Sequence, residues 1–460
     1  MGDLPEPGEL IDGFLVGERI HSGGMGVVHR VSRFDLMFPA VMKVPRLGPG
    51  EPASSVISFE VEQNVLRVLD DPHVPRFVAA GDITVRPYLV MEEVRGRSLS
   101  EWVDRAPVPP TEVAELGIAV AKALDALHRL EAIHLDLKPS NVIIRPDGAA
   151  ALIDLGLAHH AHLPDLLAEE IRQPIGSAPY LSPEQVVGVR SDPRSDVFSL
   201  GVVLYQLATG RLPFGFPGPR GLRGRLWRVP VPPRALAPAV PEWLQEVILH
   251  CLEPDAGRRP ASARQVAFDL SHPDQVAVGE RGRSVRRAGL LVQLGRWFRA
   301  AGYVPAPVLL PSSQVASAPI LLAAVATQGA DEAVQDAIRE AVRGLLAAPG
   351  QRRLACATVI RPVSELGGSH PDDTSARQRI RHLAILRSWA APLGLSPGQA
   401  SFHVLEGSGA AEALLAFARK NRVDHIVLGA PGPDLPIRGP GTIATQIAME
   451  APCTVTLVRG

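Results

Sequence analysis

Residues 134–156 read His-Leu-Asp-Leu-Lys-Pro-Ser-Asn-Val-Ile-Ile-Arg-Pro-Asp-Gly-Ala-Ala-Ala-Leu-Ile-Asp-Leu-Gly. Two apolar runs, 141–145 and 150–155, flank Pro146-Asp147-Gly148, and Asp-Gly between apolar runs predicts a tight hairpin. Such a hairpin brings Asn141 at its entrance beside Asp154 at its exit. An amide oxygen next to a carboxylate is a hard-oxygen pair suited to Mg2+, which keeps most of its waters and takes few protein ligands plus phosphates. Asp136 is then placed to accept the proton of an attacking hydroxyl, and Lys138 to neutralise charge on a transferred group.

Upstream, lysine itself is a signal. Only four of the 47 basic residues are lysine: Lys43, Lys122, Lys138 and Lys420. Lys43 ends the strand-like run Ala40-Val41-Met42-Lys43, and its compact ammonium suits a phosphate. In the helical stretch that follows, Leu66 and Leu69 face the sheet with Glu62 one turn back on the same stripe, so a buried Lys43–Glu62 pair is expected. Glu60, the competing acid, falls on the outer face. Earlier still, His21-Ser22-Gly23-Gly24-Met25-Gly26-Val27-Val28 joins two strand-like runs. Alone it reads as a Gly-rich hairpin turn; with Lys43 it could close backbone N–H groups over phosphates, Val28 capping an adenine.

The 460 residues are 46% hydrophobic with a mean hydropathy of +0.11, enough for two or three globular domains. The 47 basic and 48 acidic residues leave a net charge of −1, which supplies no global field towards nucleic acid or anionic lipid. Cys251, Cys356 and Cys453 are too far apart for a disulfide scaffold or a metal site, so a reducing, cytoplasmic setting is expected. The N-terminal residues show neither a secretory signal nor, with Glu6, a myristoylation pattern. Residues 300–330 lack charge, but Pro305, Pro307, Pro311 and Pro319 make them a linker leading into a buried strand, not a bilayer span.

Residues 10–93 read as a small antiparallel sheet with one helix, and 94–271 as mainly helical around the hairpin. Residues 272–317 form a basic, then Pro-rich linker. Over 281–299, arginines set against Leu290, Leu291, Leu294 and Phe298 describe a basic amphipathic helix; docking on its own domains is the favoured reading over membrane contact. From 318 to 460 strand and helix alternate, which implies right-handed crossovers and an open parallel sheet.

On these motifs, residues 10–271 resemble a protein-kinase domain, closest to bacterial eukaryotic-like serine/threonine kinases. The resemblance runs through the Gly-rich loop, Lys43, Glu62, a hinge at Met91-Glu92-Glu93-Val94, residues 134–141 and Asp154-Leu155-Gly156. It continues through Gly176-Ser177 and Ser182-Pro183-Glu184, then Asp196 and Arg259. It implies an α+β bilobal kinase fold, with a β-rich N-lobe and an α-rich C-lobe. It implies Asp136, Lys138, Lys43 and Glu62 as catalytic residues. ATP contacts follow at Ser22, Gly23, Gly24, Met25, Gly26, Val28, Ala40, Lys43, Glu92, Val94, Asn141 and Asp154, with Mg2+ on Asn141 and Asp154. Glu184 would pair with Arg259, and Asp196 would hold the backbone of the catalytic loop.

Two departures stand out. His21 replaces the first loop glycine, which implies altered ATP affinity. Leu135 stands where the family has an arginine that pairs with a phosphate on the activation segment, and residues 155–176 contain no Ser, Thr or Tyr. A loop ordered without phosphorylation is expected, through Glu169 and Glu170 or through packing of Leu163, Leu166 and Leu167. His159, His160 and His162 read as part of a solvated loop rather than a metal site.

Residues 318–460 resemble a universal stress protein, a Rossmann-like α/β fold, through Asp424 to Gly432, Gly441-Thr442 and Ala451 to Val455. The aspartate expected after the first strand is Ala326, and the Gly432–Gly441 spacing is one short, both of which speak against nucleotide binding there. Dimerisation or regulation through the last strand, 454–458, and ligand sensing are equal readings, with adenine-nucleotide binding that gates the kinase a third. The leading reading is a kinase transferring the ATP γ-phosphate to a protein Ser/Thr hydroxyl; the alternative is a nucleotide-binding pseudokinase scaffold, for which only His21 and Leu135 speak.

Overall fold

The structure is a computed structural model that describes residues 4–23, 26–46, 53–82, 86–163, 165–167, 174–218, 221–286, 319–328, 331–347, 352–361, 371–395, 399–421, 423–430 and 442–459. Gly24, Met25, Glu169, Glu170, Gly432, Gly441 and most of the 281–299 stretch lie outside the described residues.

The first lobe is a six-stranded antiparallel sheet of β1 (Leu10–Ile11), β2 (Phe14–Gly23), β3 (Gly26–Ser32), β4 (Ala40–Pro45), β5 (Phe77–Ala80) and β6 (Leu89–Glu92), in the order β1-β2-β3-β4-β6-β5. Alternation along β4 sends Ala40 and Met42 into an apolar cluster with Phe14, Val16 and Val27, and Val41 and Lys43 to the opposite face. Helix α1 (Ala53–Val68) packs beneath, with Leu66 buried in a second cluster that continues into the other lobe.

That lobe begins with β7 (Arg97–Ser98), α2 (Ser100–Asp104) and α3 (Pro110–Arg129), whose apolar stripe Val113, Leu116, Val120, Leu124 and Leu127 is buried. The expected hairpin is β9 (Val142–Ile144) and β10 (Ala150–Leu152), antiparallel with Ile144 opposite Ala150. Before it, β8 (Ala132–Ile133) pairs with β11 (His159–His160). Helices α4 (Pro183–Val186), α5 (Arg194–Thr209), α6 (Pro233–Leu236), α7 (Glu242–Cys251) and α8 (Ala263–Ser271) complete the lobe. Glu184 and Arg259 form a fully buried bidentate pair at 2.6 and 2.8 Å. Ser195 Oγ donates to the same carboxylate at 2.8 Å.

The connector starts with α9 (Glu280–Arg283), docked on the C-lobe. Arg281 Nε donates to Glu246 at 2.9 Å and Gln245 Nε2 to the Arg281 carbonyl at 2.7 Å. The described part of the basic stretch is thus anchored to its own domain.

Beyond it, β12 (Ile320–Ala324), α10 (Glu332–Leu346), β13 (Arg353–Ile360), α11 (Pro371–Ala390), β14 (Ala400–Glu406), α12 (Ala410–Lys420), β15 (His425–Gly429), α13 (Ile443–Glu450) and β16 (Thr454–Val458) form a parallel sheet ordered β14-β13-β12-β15-β16. Alternate side chains of its strands feed two separate cores: Leu321, Cys356 and Val427 on one face, Leu322, Ala355 and Ile426 on the other. Among the described residues no helix is long and apolar enough to cross a membrane.

Burial would raise the Glu184 carboxyl pKa, but Arg259 outweighs it and holds the group below its ordinary value. A depressed carboxylate stabilises the fold above its unfolded pKa and loses that contribution as pH falls through the folded value. Arg259→Ala, which strands a buried charge, is expected to cost about 3–5 kcal/mol at pH 7. The deficit should shrink once Glu184 is protonated, as read from urea midpoints at pH 7 and in acid.

Candidate active site

The cleft between the lobes is lined from above by β3 and β4 and from below by the hairpin. Lys43 Nζ donates to Glu62 Oε2 at 2.6 Å and to Asp154 Oδ1 at 2.8 Å. Burial works against the Lys43 charge, but Glu62 and Asp154 prevail and hold its pKa above the ordinary value. Burial also pushes the Asp154 carboxyl up, yet Lys43, assisted by Lys138, keeps it below the usual range. For Glu62 burial wins, reinforced by the Asp154 charge, and its pKa rises. One ammonium therefore faces two carboxylates, and the triad leans negative.

Below, Asp136 Oδ2 accepts from Lys138 Nζ at 2.8 Å and Oδ1 from the Ser177 N–H at 2.7 Å. Asn141 Nδ2 donates to the Asp136 carbonyl at 3.0 Å, so its amide nitrogen is committed; its Oδ1, which accepts only a long bond from Ser140 Oγ at 3.4 Å, is the end that could meet a cation. The loop carrying these groups is held from behind by Asp196. Its Oδ2 accepts from the His134 N–H at 2.8 Å and its Oδ1 from the Leu135 N–H at 2.9 Å, with His128 Nε2 2.8 Å from Oδ2. Burial would raise the Asp196 pKa; His128 first, then the charge and the N–H of His134, hold it down.

The six polar residues expected to carry chemistry, Lys43, Glu62, Asp136, Lys138, Asn141 and Asp154, thus converge. Val28 lies opposite Lys43 on the adjacent strand and shares its face. Gly23 pairs with Gly26 at the mouth of the β2–β3 turn, and a Cβ on Gly26 would stand 2.3 Å from the Val44 carbonyl oxygen, so only glycine fits. Ser22 Oγ accepts from Arg46 Nη2 at 2.8 Å. Val94 is half-buried just beyond β6.

One expectation needs correction. Ala40 does not face the cleft: it is buried with Met42 in the N-lobe core, because side chains alternate along a strand and Ala40 is an odd number of residues from Lys43. The side chain on the Lys43 face is Val41. At Glu92 the carboxylate turns to Arg145 Nη1 at 3.0 Å, so a contact of this residue with a base would come from its backbone.

The histidine cluster also differs from a solvated loop. His160 is buried in β11 and its pKa is lowered to about 4, by burial first and then by the neighbouring histidines. His162 pairs with Glu131, and His159 lies 3.5 Å from Asp165; no three ligating groups converge among the described residues. The sequence reading missed three further groups. Arg190 donates to both Asp165 oxygens at 3.0 Å and to the Leu157 carbonyl at 2.9 Å. Gln185 Nε2 donates to the Leu135 carbonyl at 2.8 Å. Arg225, fully buried with its pKa lowered to about 10 by burial, donates to the Ala178 and Pro179 carbonyls at 2.9 and 2.7 Å. Leu166 and Leu167 are buried in the C-lobe core with Leu163 packed against it.

In the C-terminal domain a cavity of about 440 Å³ adjoins helix α1, and a larger one of about 810 Å³ opens at the carboxyl ends of β12, β13 and β15. The larger is lined by Ala326, Thr327, Val359 and Leu428; Thr327 Oγ1 is 2.9 Å from Thr358 Oγ1 and 2.7 Å from His382 Nδ1. This is where open α/β sheets take ligands; the position after the first strand where the resemblance expects an aspartate is Ala326, and the carboxylate in the lining is instead Asp331, which caps α10 by accepting from the Ala333 N–H at 3.0 Å.

Residues 14–269 match the family model described as protein kinase domain, and residues 320–459 match the universal stress protein family. The chain belongs to the protein kinase family. It is 35% identical over 271 residues to serine/threonine-protein kinase pkn2 of Myxococcus xanthus, covering 57% of this chain and 32% of that protein. It is 32% identical over 273 residues to serine/threonine-protein kinase PknB of Mycobacterium leprae, covering 58% of this chain and 44% of that protein. The chain thus spans less than half the length of these relatives. The kinase domain of Mycobacterium tuberculosis PknI is matched at 23% identity and a TM-score of 0.46, over 59% of this chain and 100% of that one.

The Arg190–Asp165 pair ties the start of the activation segment of this kinase to the C-lobe. Arg190→Ala is expected to raise amide exchange over residues 157–167 by about tenfold, the equivalent of one lost charge-assisted hydrogen-bond pair, measured by hydrogen–deuterium exchange.

Proposed function

We propose that this chain is an ATP-dependent protein serine/threonine kinase that transfers the γ-phosphate in line to a protein Ser/Thr hydroxyl. The observation that carries the reading is the convergence of the Lys43–Glu62–Asp154 triad with Asp136, Lys138 and Asn141 in one cleft. The names of its relatives agree with it. A pseudokinase would need one of these groups lost or turned away, and none is.

Lys43, fixed by Glu62, anchors phosphate oxygens and orients them towards Asp136. Asp136, held through its carbonyl by Asn141 and through Oδ1 by the Ser177 N–H, accepts the proton of the attacking hydroxyl as it bonds to the γ-phosphorus. Lys138, already at the Asp136 carboxylate, balances negative charge on the group in transit. The donor set fits Mg2+: Asn141 Oδ1 and the Asp154 carboxylate are hard oxygens, and the triad leans negative. When bound there the ion supplies charge neutralisation of the phosphates. Transfer then rests on positioning and electrostatics.

In the described part of the activation segment Arg190–Asp165 and the burial of Leu166 and Leu167 support order without a phosphate, and the stretch from 155 to 176 holds no Ser, Thr or Tyr. We therefore read the activity as independent of phosphorylation there.

Asp136→Asn should lower phosphate transfer from labelled ATP with Mg2+ by about 100- to 10,000-fold, the span of general base catalysis, while fluorescent ATP analogue still binds. A variant that transfers at the wild-type rate would refute the role of Asp136. Phosphatase treatment of the wild type should leave its rate unchanged, and a collapse of activity would refute the phosphorylation-independent reading.

A further inference from the structure

Glu60 sits on α1, two residues before Glu62. At about 100° per residue the two carboxylates point to nearly opposite sides of the helix, so Glu60 belongs on the outer face, where a charged side chain meets water. It is instead 3% exposed. What covers it is the C-terminal domain. Arg387 of α11, more than three hundred residues away in the chain, donates from Nη2 to Glu60 Oε1 at 3.3 Å, and its Nη1 lies 3.7 Å from Asp82 Oδ1. The same guanidinium stands 5.6 Å from the ring centre of Phe402 in β14.

The contact extends past one ion pair. Ile380, seven residues before Arg387 and so on the same face of α11, packs against the kinase core. Ser401 and Phe402 of the β14 edge line a small cleft with Val61 and Asn64 of α1 and with His160 and Leu166 of the activation segment. Burial lowers the Arg67 pKa and the Arg387 charge lowers it further, as expected if α1 and α11 face each other closely. The domain therefore touches the two elements whose position decides whether Lys43 meets Glu62 and whether Asp136 is open.

We propose that the universal stress protein domain is an intramolecular clamp on helix α1, with Arg387 a positioning residue for phosphate transfer that acts through Glu60. The inference rests on the kinase reading above. From inside, Lys43 draws α1 in through Glu62; from outside, α11 and β14 occupy the space into which the helix would swing. Such contacts shift the equilibrium only because the swung-out helix forfeits them. The Glu60 charge adds direction: without Arg387 this buried carboxylate loses its ion-pair partner and keeps only Arg67 of its own helix in the adjoining cavity, which favours the helix moving away. A change in the C-terminal domain that displaced α11 would thus be transmitted to Lys43 without any modification of the kinase domain.

The test uses the full-length chain as wild type, Arg387→Glu, Glu60→Arg and the swapped double variant. The readouts are kcat and KM for ATP with casein as acceptor, amide exchange over residues 53–68, and thermal melts. Each single reversal is expected to lower kcat by about tenfold, a typical intersite coupling, and to raise exchange in 53–68; the swap should restore both to within about threefold. A swap that restores neither, or singles that leave exchange over 53–68 unchanged, would overturn the clamp. Should Arg387→Glu melt the C-terminal domain, Arg387→Gln removes the charge with little change of shape and is judged by the same exchange. If the wild type transfers no phosphate, the kinase reading fails while exchange over 53–68 still decides the clamp.

Discussion

The ion triad of Lys43, Glu62 and Asp154 is the interaction on which the remaining architecture depends. It joins a strand of one lobe, a helix that rides between the lobes, and the turn after the hairpin of the other, and no apolar contact could specify all three at once. Its distances of 2.6 and 2.8 Å require α1 to lie against the sheet and Asp154 to point inward. Burying such a group is costly unless every charge is met; two carboxylates share one ammonium, and the surplus negative charge makes the pocket receptive to a cation. The stability cost of the triad and the chemistry it serves have the same origin.

Asp196 plays the corresponding part below. The loop from His134 to Asn141 cannot be a strand or a helix, because Leu135 has a φ of +62°, a region that costs a non-glycine residue about 1–3 kcal/mol. The buried carboxylate of Asp196 receives two successive N–H groups of that loop, and Gln185 satisfies the Leu135 carbonyl. The strain is thereby locked in by three hydrogen bonds to two helices, α4 and α5, and Asp136 is presented at a fixed angle.

Most of this frame was legible because the chemistry needs particular side chains in a particular order. Lysine is so scarce that Lys43 and Lys138 announced themselves, and Pro146-Asp147-Gly148 fixed the hairpin that brings Asn141 to Asp154. Legibility failed where face or cover decided the outcome. Ala40 was placed at the cleft on motif resemblance, when strand parity alone would have pointed to Val41. Periodicity put Glu60 on the outer face, yet periodicity carries no information about what a distant domain lays over that face. His160 and Arg225 read as surface residues by type; one is buried by a two-residue strand pairing with β8 and the other by carbonyls of the loop after Ser177, and neither leaves a local pattern.

Position 135 shows how two apparent defects can be one consistent choice. An arginine there would project a guanidinium into a site where Leu135 is 2% exposed, and a buried cation needs an anion delivered to it. The usual anion is a phosphate on the activation segment, but no residue from 155 to 176 can carry one. Arginine at 135 would therefore lack that phosphate partner, and a buried charge without its partner is strongly destabilising. Leucine removes the charge and fills the space with apolar surface. Elsewhere in the described stretch the charge is met by a pair of permanent groups, where Arg190 grips Asp165. The outer face of α1 is met in the same way by a permanent pair, Glu60 with Arg387, contributed by a domain whose own sheet leaves a cavity at its carboxyl edge.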